Sequence, residues 1–406
     1  MFERRINFNC IINGVWLIPI IVLTGLLILQ NMNDLATILF FAGFSLVIIS
    51  KWKANIGIKL LLILSILFRF IYAYKIFGME TYLFPDSKYY VSTLIWINDL
   101  ETLTFDSIAG AAGTVHIGYN LLSFVTYRIF GSLYSLFAVN ILMFAISVIL
   151  FHEHLTKRFN IKIANSIAFL MTVSMNLFIF TSHILKDSMV MMLTVLSLHI
   201  YDKYKEKKSK MLIVSLIFVI SLLVTTRIYA GFGILAGIVL DYILNNSSSY
   251  EEKKRVFKKL MVVSIALLAG FIILNDNQYY TMSMRYIRNV NFSFNTIAAM
   301  GVYLLSFLFS PLPWNMLNDV TVYTPIVLDS IFMIIFSPLF ILFLYKLLRN
   351  KLMMKKFYIY IIPTVFHIFA LSTSLETGAI RQRIGVFPFL LLMYMSGIFL
   401  KRTNNN

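Results

Sequence analysis

Apolar residues in this chain come in long blocks rather than in short alternations. Twelve stretches reach or approach the length a helix needs to cross a hydrocarbon core, at residues 11–30, 35–50, 56–74, 132–152, 162–182, 188–201, 211–226, 229–245, 259–275, 325–346, 357–373 and 384–400. The pattern predicts an all-α fold of about twelve transmembrane helices in one integral membrane domain over residues 1–406. Two long connections, 75–131 and 276–324, stay rich in aromatic and aliphatic residues. Inside them, 117–130 (IGYNLLSFVTYRIF, followed by Gly131) and 296–310 (TIAAMGVYLLSFLFS) are apolar but short. They predict helices lying on or dipping into one leaflet, with an extra hairpin of spans as the alternative. No internal repeat is apparent, which speaks against a transporter built from inverted halves.

Charge gives the pattern a direction. With a cytoplasmic N-terminus and twelve crossings, the inner connections and their flanks hold 25 of the 35 basic residues and 7 of the 18 acidic ones. The rest of the chain then holds 10 basic and 11 acidic residues. This is the asymmetry the positive-inside rule demands, and an odd number of crossings would destroy it. Both termini are therefore expected in the cytoplasm, with 75–131 and 276–324 outside. Glu3, Arg4 and Arg5 before the run from Ile11 to Leu29 resemble a signal peptide, but the run is long and no small-residue cleavage site follows, so it is expected to stay as the first span.

Composition agrees. Hydrophobic residues make up 59% of the chain and charged residues 13%, about half the charge of a soluble domain; the mean hydropathy is +0.82. The net charge of +17 is accounted for by the cytoplasmic lysines and arginines, which also contact anionic membrane lipids, so no nucleic-acid partner is implied. The single cysteine, Cys10, excludes an intramolecular disulfide and a cysteine metal cluster. Abundant Ile, Lys, Asn and Phe fit an AT-rich bacterial genome, hence a bacterial plasma membrane.

The candidate chemistry lies on the outer side, where ionisable groups run against the charge trend. Asp86 stands in LFPDSKYYV beside Lys88 and Tyr89; after Pro85 it is either the N-cap of a helix or a general base at the membrane surface. Lys186 and Asp187 occupy a short turn (HILKDS), and Arg227 interrupts an apolar hairpin (TTRIYAG). Arg285 and Arg288 are three apart, and Arg381 and Arg383 precede the last span (GAIRQRIGVFP). Each arginine or lysine alone could simply reach for the interface. Cations delivered from five connections to one surface suit an anionic headgroup such as a phosphate or pyrophosphate, which arginine grips with forked hydrogen bonds. His116 (GTVHIGYN) is a further substrate or metal candidate. His152 and His154 lie at a cytoplasmic helix end with no third ligand nearby, so no metal site is expected there. Arg69, Asp241 and Asp329 are the charged residues deepest in apolar segments, as a transporter would require. The chain has no P-loop, dinucleotide fingerprint, HExxH or nucleophile elbow, so an activated donor would have to be lipid-borne.

The order of these features resembles the GT-C superfamily of membrane glycosyltransferases. The resembling segments are FPDSKYY, GYNLLSFVTYRIFG, HILKDSMVMMLTVLSLHIY, FLFSPLPWNML and RQRIGVFPFLLL, spread over most of the chain. The resemblance implies transfer of a sugar from a polyprenyl-phosphate-linked donor to a glycan or glycolipid acceptor at the outer leaflet, in surface-polysaccharide or glycolipid synthesis. It implies Asp86 as the base, with Lys186, Arg227, Arg381 and Arg383 holding the donor phosphate. Many members carry a second acid beside the catalytic one and use a divalent metal; Ser87 and Lys88 stand here instead, which implies no metal and no other cofactor. A Wzy or O-antigen-type polymerase or ligase is the nearest alternative, with arginines dominating the chemistry, and a glycolipid or solute transporter is the alternative of another class.

Overall fold

The protein was analysed as a computed structural model. It describes residues 8–78, 84–98, 117–246, 308, 324–374, 381 and 383–399. Among these residues the secondary structure is entirely helical: fifteen α-helices and two 3-10 turns. In chain order the α-helices are α1 (Phe8–Leu29), α2 (Asn33–Lys51), α3 (Ile56–Gly78), α4 (Pro85–Asn98), α5 (Ile117–Phe130), α6 (Tyr134–Arg158), α7 (Ile161–Val173) and α8 (Met175–Thr181). They continue with α9 (Asp187–Lys207), α10 (Lys210–Thr226), α11 (Ile228–Asn246), α12 (Val327–Ile335), α13 (Ser337–Arg349), α14 (Lys351–Ser374) and α15 (Phe387–Phe399). The 3-10 turns, Thr324–Ile326 and Arg383–Val386, lead into α12 and α15.

Three helices, α2, α3 and α6, are long and apolar enough to cross a membrane. Two bent pairs raise the number to five if each is one broken span: α7 with α8, bent by 58°, and α12 with α13, bent by 51°. By length and apolarity the described chain thus offers three to five crossings where the sequence pattern suggests twelve. Of the other expected segments, α10, α11 and α15 are shorter apolar helices, and the one at 188–201 is the apolar part of α9, whose last turns are polar. The expected segment at 259–275 lies outside the described residues, as do 276–307 and 309–323 of the second long connection.

Helix boundaries follow local chemistry. Asn160 caps α7 by accepting a hydrogen bond from the Ile163 N–H at 2.9 Å. Ser174 is extended, which ends α7, and its hydroxyl accepts from the Leu177 N–H at 3.1 Å, which starts α8. The break is tied down from outside. The Asp329 carboxylate on α12 accepts from the Ser174 hydroxyl (2.5 Å) and from the backbone N–H groups of Asn176 (2.7 Å) and Met175 (3.2 Å). Gly131 ends α5 with φ +63° and donates to the Tyr127 carbonyl at 2.7 Å, a left-handed cap that suits glycine. In α4 the helix begins on Pro85, whose missing N–H is harmless at the first position. Asp86 therefore sits inside the first turn and is not the N-cap.

The core is built on α6, which packs against α2, α3, α5, α7 and α9. Its apolar window is largely enclosed, whereas α2 and α3 are covered on one side only. The open side of α3 presents Leu60, Leu64, Phe68 and Ile71, the face expected to meet lipid. On the other side of α9, α11 and α14 approach closely through Gly233 and Gly237, four apart, against Pro363 and the Ile359 carbonyl. Such small-residue contacts let apolar helices touch backbone to backbone. The pair α6 and α9 runs parallel: Asn140 near the start of α6 donates to the carbonyls of His183 and Leu185 just before α9, and His154 near its end meets Asp202 near the end of α9.

Candidate functional site

That parallel pair carries an ionic cluster at each end. Asp187 and Asp202 are fifteen residues apart on α9, so the clusters stand about 22 Å apart along the helix axis, with an apolar belt between them.

At the first end, Asp187 is fully buried and is clamped by two arginines from distant parts of the chain. Arg381 Nε donates to Asp187 Oδ2 at 2.7 Å, and Arg227 Nη2 lies 2.9 Å from Asp187 Oδ1. Arg381 Nη1 then donates to Asp86 Oδ2 at 2.6 Å, so one guanidinium joins two carboxylates. The two acids differ in setting: the Asp187 side chain is 0% exposed and that of Asp86 is 48% exposed. Lys186 is buried beside them. Burial, reinforced by Arg227, pushes its ammonium well below the usual lysine range. Burial alone would favour a neutral Asp187, but Arg381 and Arg227 overcome it and hold the carboxyl below its ordinary value. Among the described residues, three basic side chains (Lys186, Arg227 and Arg381) thus meet two carboxylates (Asp86 and Asp187). Arg381 Nη2 is buried and has no hydrogen-bond partner among the described residues.

A ring of polar groups surrounds the clamp. Tyr90 on α4 and Tyr119 on α5 face each other with ring centroids 4.8 Å apart. Asn140 of α6 donates to the Tyr119 hydroxyl (3.1 Å) as well as to the two carbonyls before α9. Burial pushes both tyrosine hydroxyls above their ordinary range, so at neutral pH they are protonated donors. The helices of the first long connection are thus seated on the core: α5 is observed over the residues expected, Ile117–Phe130, and α4 brings Asp86 to Arg381.

Five of the residues singled out in the sequence therefore meet: Asp86, Lys186, Asp187, Arg227 and Arg381. Lys88 and Tyr89 lie on the exposed side of α4, away from the buried face that carries Ser87 and Tyr90. Arg383, expected beside Arg381, departs from that expectation. Its guanidinium is fully buried, reaches the Leu308 carbonyl at 3.4 Å, lies 5.5 Å from the centre of the Phe387 ring and faces Asp329 electrostatically. The reason is the turn Arg383–Val386, which carries it into the core instead of along the cluster. His116, Arg285, Arg288 and the segment FLFSPLPWNML lie outside the described residues, except for Leu308.

The chain matches no protein-family model and no curated protein sequence.

At the opposite end, Arg158, Asp202 and Lys205, expected in inner connections, form a second network with Asp241, Tyr201 and Tyr360 of apolar segments. Arg158 of α6 grips Asp241 of α11 with both terminal nitrogens (3.0 and 3.3 Å) and donates through Nε to Asp202 of α9 at 3.1 Å. Tyr201 donates to Asp241 at 2.9 Å, and Lys205 approaches it at 3.4 Å. His154 sits between Asp202 (2.5 Å) and the Tyr360 hydroxyl (2.7 Å) of α14, a pairing met by a neutral ring with its proton on Nδ1. Two cations and two carboxylates balance here. His152, two residues away, belongs to a different chain of bonds, between the Trp52 indole N–H (3.1 Å) and Asn165 (2.9 Å). The network fastens four helices, α6, α9, α11 and α14, through these bonds. The candidate functional site is the first end, where a half-exposed carboxylate stands beside buried basic side chains.

Proposed function

We propose that this protein is a membrane glycosyltransferase that moves a sugar from a polyprenyl-phosphate-linked donor to a hydroxyl of a glycan or glycolipid acceptor. The observation that carries the reading is the clamp at the start of α9. It sets a half-exposed carboxylate beside the buried Lys186 and Arg227 and the Arg381 guanidinium, in a helical chain apolar enough to share a bilayer with a lipid-borne substrate. Glycosyl transfer from a lipid phosphate needs both parts. The acceptor oxygen attacks the anomeric carbon, the bond from that carbon to the phosphate oxygen breaks, and the acceptor proton passes to Asp86. Lys186, Arg227 and the open Nη2 of Arg381 neutralise the phosphate as it leaves. Burial disfavours the Lys186 ammonium, and an anionic phosphate beside it favours the charged form.

The charge asymmetry along the chain supports a multi-pass protein of a bacterial plasma membrane with this site on the outer side. The test is transfer of labelled sugar from a lipid-linked donor by purified protein. Asp86→Asn abolishes turnover and leaves donor binding in place; full turnover by Asp86→Asn removes the base and favours the polymerase or ligase reading, in which the arginines dominate. A second reading, movement of a lipid-linked glycan across the bilayer, draws on the two broken helix pairs tied together by Asp329, because transporters place binding sites at such breaks. Unaltered glycolipid appearing in the opposite leaflet of proteoliposomes would replace the enzyme assignment.

A further inference from the structure

The turn between α1 and α2, together with the end of α3, forms an open cleft of about 520 Å³, inside the range of small-ligand sites, about 300–1,000 Å³. Its shape follows from local chemistry. Asn31 takes a left-handed conformation at φ +59°, and the Met32 N–H returns to the Leu27 carbonyl at 2.9 Å. This Schellman cap closes α1 and turns the chain back at once. α2 then begins on Asn33 and carries Asp34 in its first turn. Ser132, just after the Gly131 cap, donates its hydroxyl to Asp34 Oδ1 and accepts from the Tyr134 N–H at 3.0 Å. The carboxylate is thereby fixed to the start of α6. Tyr74 of α3 stands edge to face with Tyr134, ring centroids 5.8 Å apart, and is 54% exposed.

Asn33, Asp34 and Tyr74 give the cleft its polar lining, and Met32, Leu35 and Ile38 its apolar lining. No basic side chain lines it. Asp86, Asp187, Asp202 and Asp241 each pair with an arginine. Asp34 is in no ion pair among the described residues, and its Oδ2 accepts no hydrogen bond from them. Asn33 adds an Oδ1 that has no partner among the described residues. The N-terminus of α2 offsets only about half an elementary charge, so the cleft stays negative. A carboxylate beside a tyrosine ring suits a cation, which the ring face attracts as well. The apolar lining runs on into bare surface: Met32 and Leu35 are themselves exposed, and Leu29, at the end of α1, is 81% exposed. A soluble amine would leave that surface unused; a lipid carries an ammonium and acyl chains together.

We propose that this cleft binds the primary ammonium head of a phospholipid, phosphatidylethanolamine in its simplest form. Asp34 is the counter-ion and accepts an N–H, the Tyr74 ring flanks the ammonium, and Met32 and Leu35 meet the start of the acyl chains. A quaternary ammonium has no N–H to give Asp34, and an anionic headgroup is repelled by it. The cleft lies at the same end of α6 as the Asp187 clamp, but the inference does not rest on the proposed function.

The test uses purified full-length protein in detergent. The probes are phosphatidylethanolamine, phosphatidylcholine and phosphatidylglycerol with identical short acyl chains, and free ethanolamine, with binding read from titrated shifts of thermal unfolding. Phosphatidylethanolamine binds the wild type roughly tenfold more tightly than the other two lipids, as expected for one charge-assisted hydrogen bond, and free ethanolamine gives no shift. Asp34→Asn keeps the shape and the acceptor for Ser132, and it removes that preference. An Asp34 that served only as an acid in the first turn of α2 would behave differently: Asp34→Asn would lower the unfolding temperature equally in every lipid and keep the preference, which overturns the site. Equal wild-type binding of phosphatidylethanolamine and either other lipid, or a shift with free ethanolamine matching that of the lipid, overturns it as well. Should Asp34→Asn not fold, Tyr74→Leu removes the ring at an exposed position and weakens phosphatidylethanolamine binding alone; wild-type affinity in Tyr74→Leu likewise refutes the site.

Discussion

Asp187 and Asp86 share one guanidinium, yet their removal should have opposite consequences. Asp187→Asn takes away the only fully buried carboxylate of the clamp and leaves Arg227 and Arg381 facing each other beside Lys186. Breaking a buried ion pair from one side costs about 3–5 kcal/mol, because the charges left behind remain desolvated. Asp86→Asn removes a group whose side chain is 48% exposed, where water screens the pairing and the loss is about 0–1 kcal/mol. Thermal unfolding of the purified protein, followed by tryptophan fluorescence, should show a large fall for Asp187→Asn and little change for Asp86→Asn. Sugar transfer should be lost in both, in the first through loss of the clamp and in the second with the fold intact. The pH dependence has a definite sign. Asp187 is held below its ordinary value of 3.8 by Arg381 and Arg227 against burial, so its contribution is complete above about pH 4 and fades only as the pH falls below that. Asp187→Asn removes this acid sensitivity. An equal or larger thermal loss in Asp86→Asn would refute the division of labour drawn from burial.

Three further outcomes test the frame around the site. Asp241→Asn should destabilise the protein by about 3–5 kcal/mol, since Arg158, Tyr201 and Lys205 all converge on that buried carboxylate, while the affinity for farnesyl phosphate at the Asp187 clamp stays unchanged in a binding titration. Gly397→Ala should lower the unfolding temperature, because its new Cβ would lie 2.3 Å from the Leu339 carbonyl oxygen of α13; forcing the helices apart costs about 1–3 kcal/mol. In a Cys10→Ser background, Lys88→Cys should react with an impermeant maleimide added to intact cells and Lys207→Cys only after lysis; both side chains are exposed, and the reverse pattern would invert the proposed orientation.

The hydrophobic pattern was sufficient to establish helical class, because runs of apolar residues with so little charge have no other stable form at that length. It also located α5 to the residue, since Gly131 supplies the left-handed cap that ends it. It did not resolve the breaks. Ser174 and Phe336 sit inside apolar runs, and the bend at Ser174 is held by Asp329, 155 residues further on, which no local rule can anticipate. The same limit applies to the site. Unusual placement against the charge trend was enough to pick out Asp86, Lys186, Asp187, Arg227 and Arg381 one by one. That Arg381 bridges two acids while Arg383, two residues later, turns into the core depends on a 3-10 turn and on the packing of α9 beneath it. Residues such as Asn140, His183 and Tyr119 look ordinary in the sequence, because a polar atom gains meaning only when burial decides whether it has a partner. Sequence alone set the solvent each helix prefers and which charges are out of place. Tertiary structure decided which of those charges are balanced, because balance is a matter of distances between segments that the chain brings together only on folding.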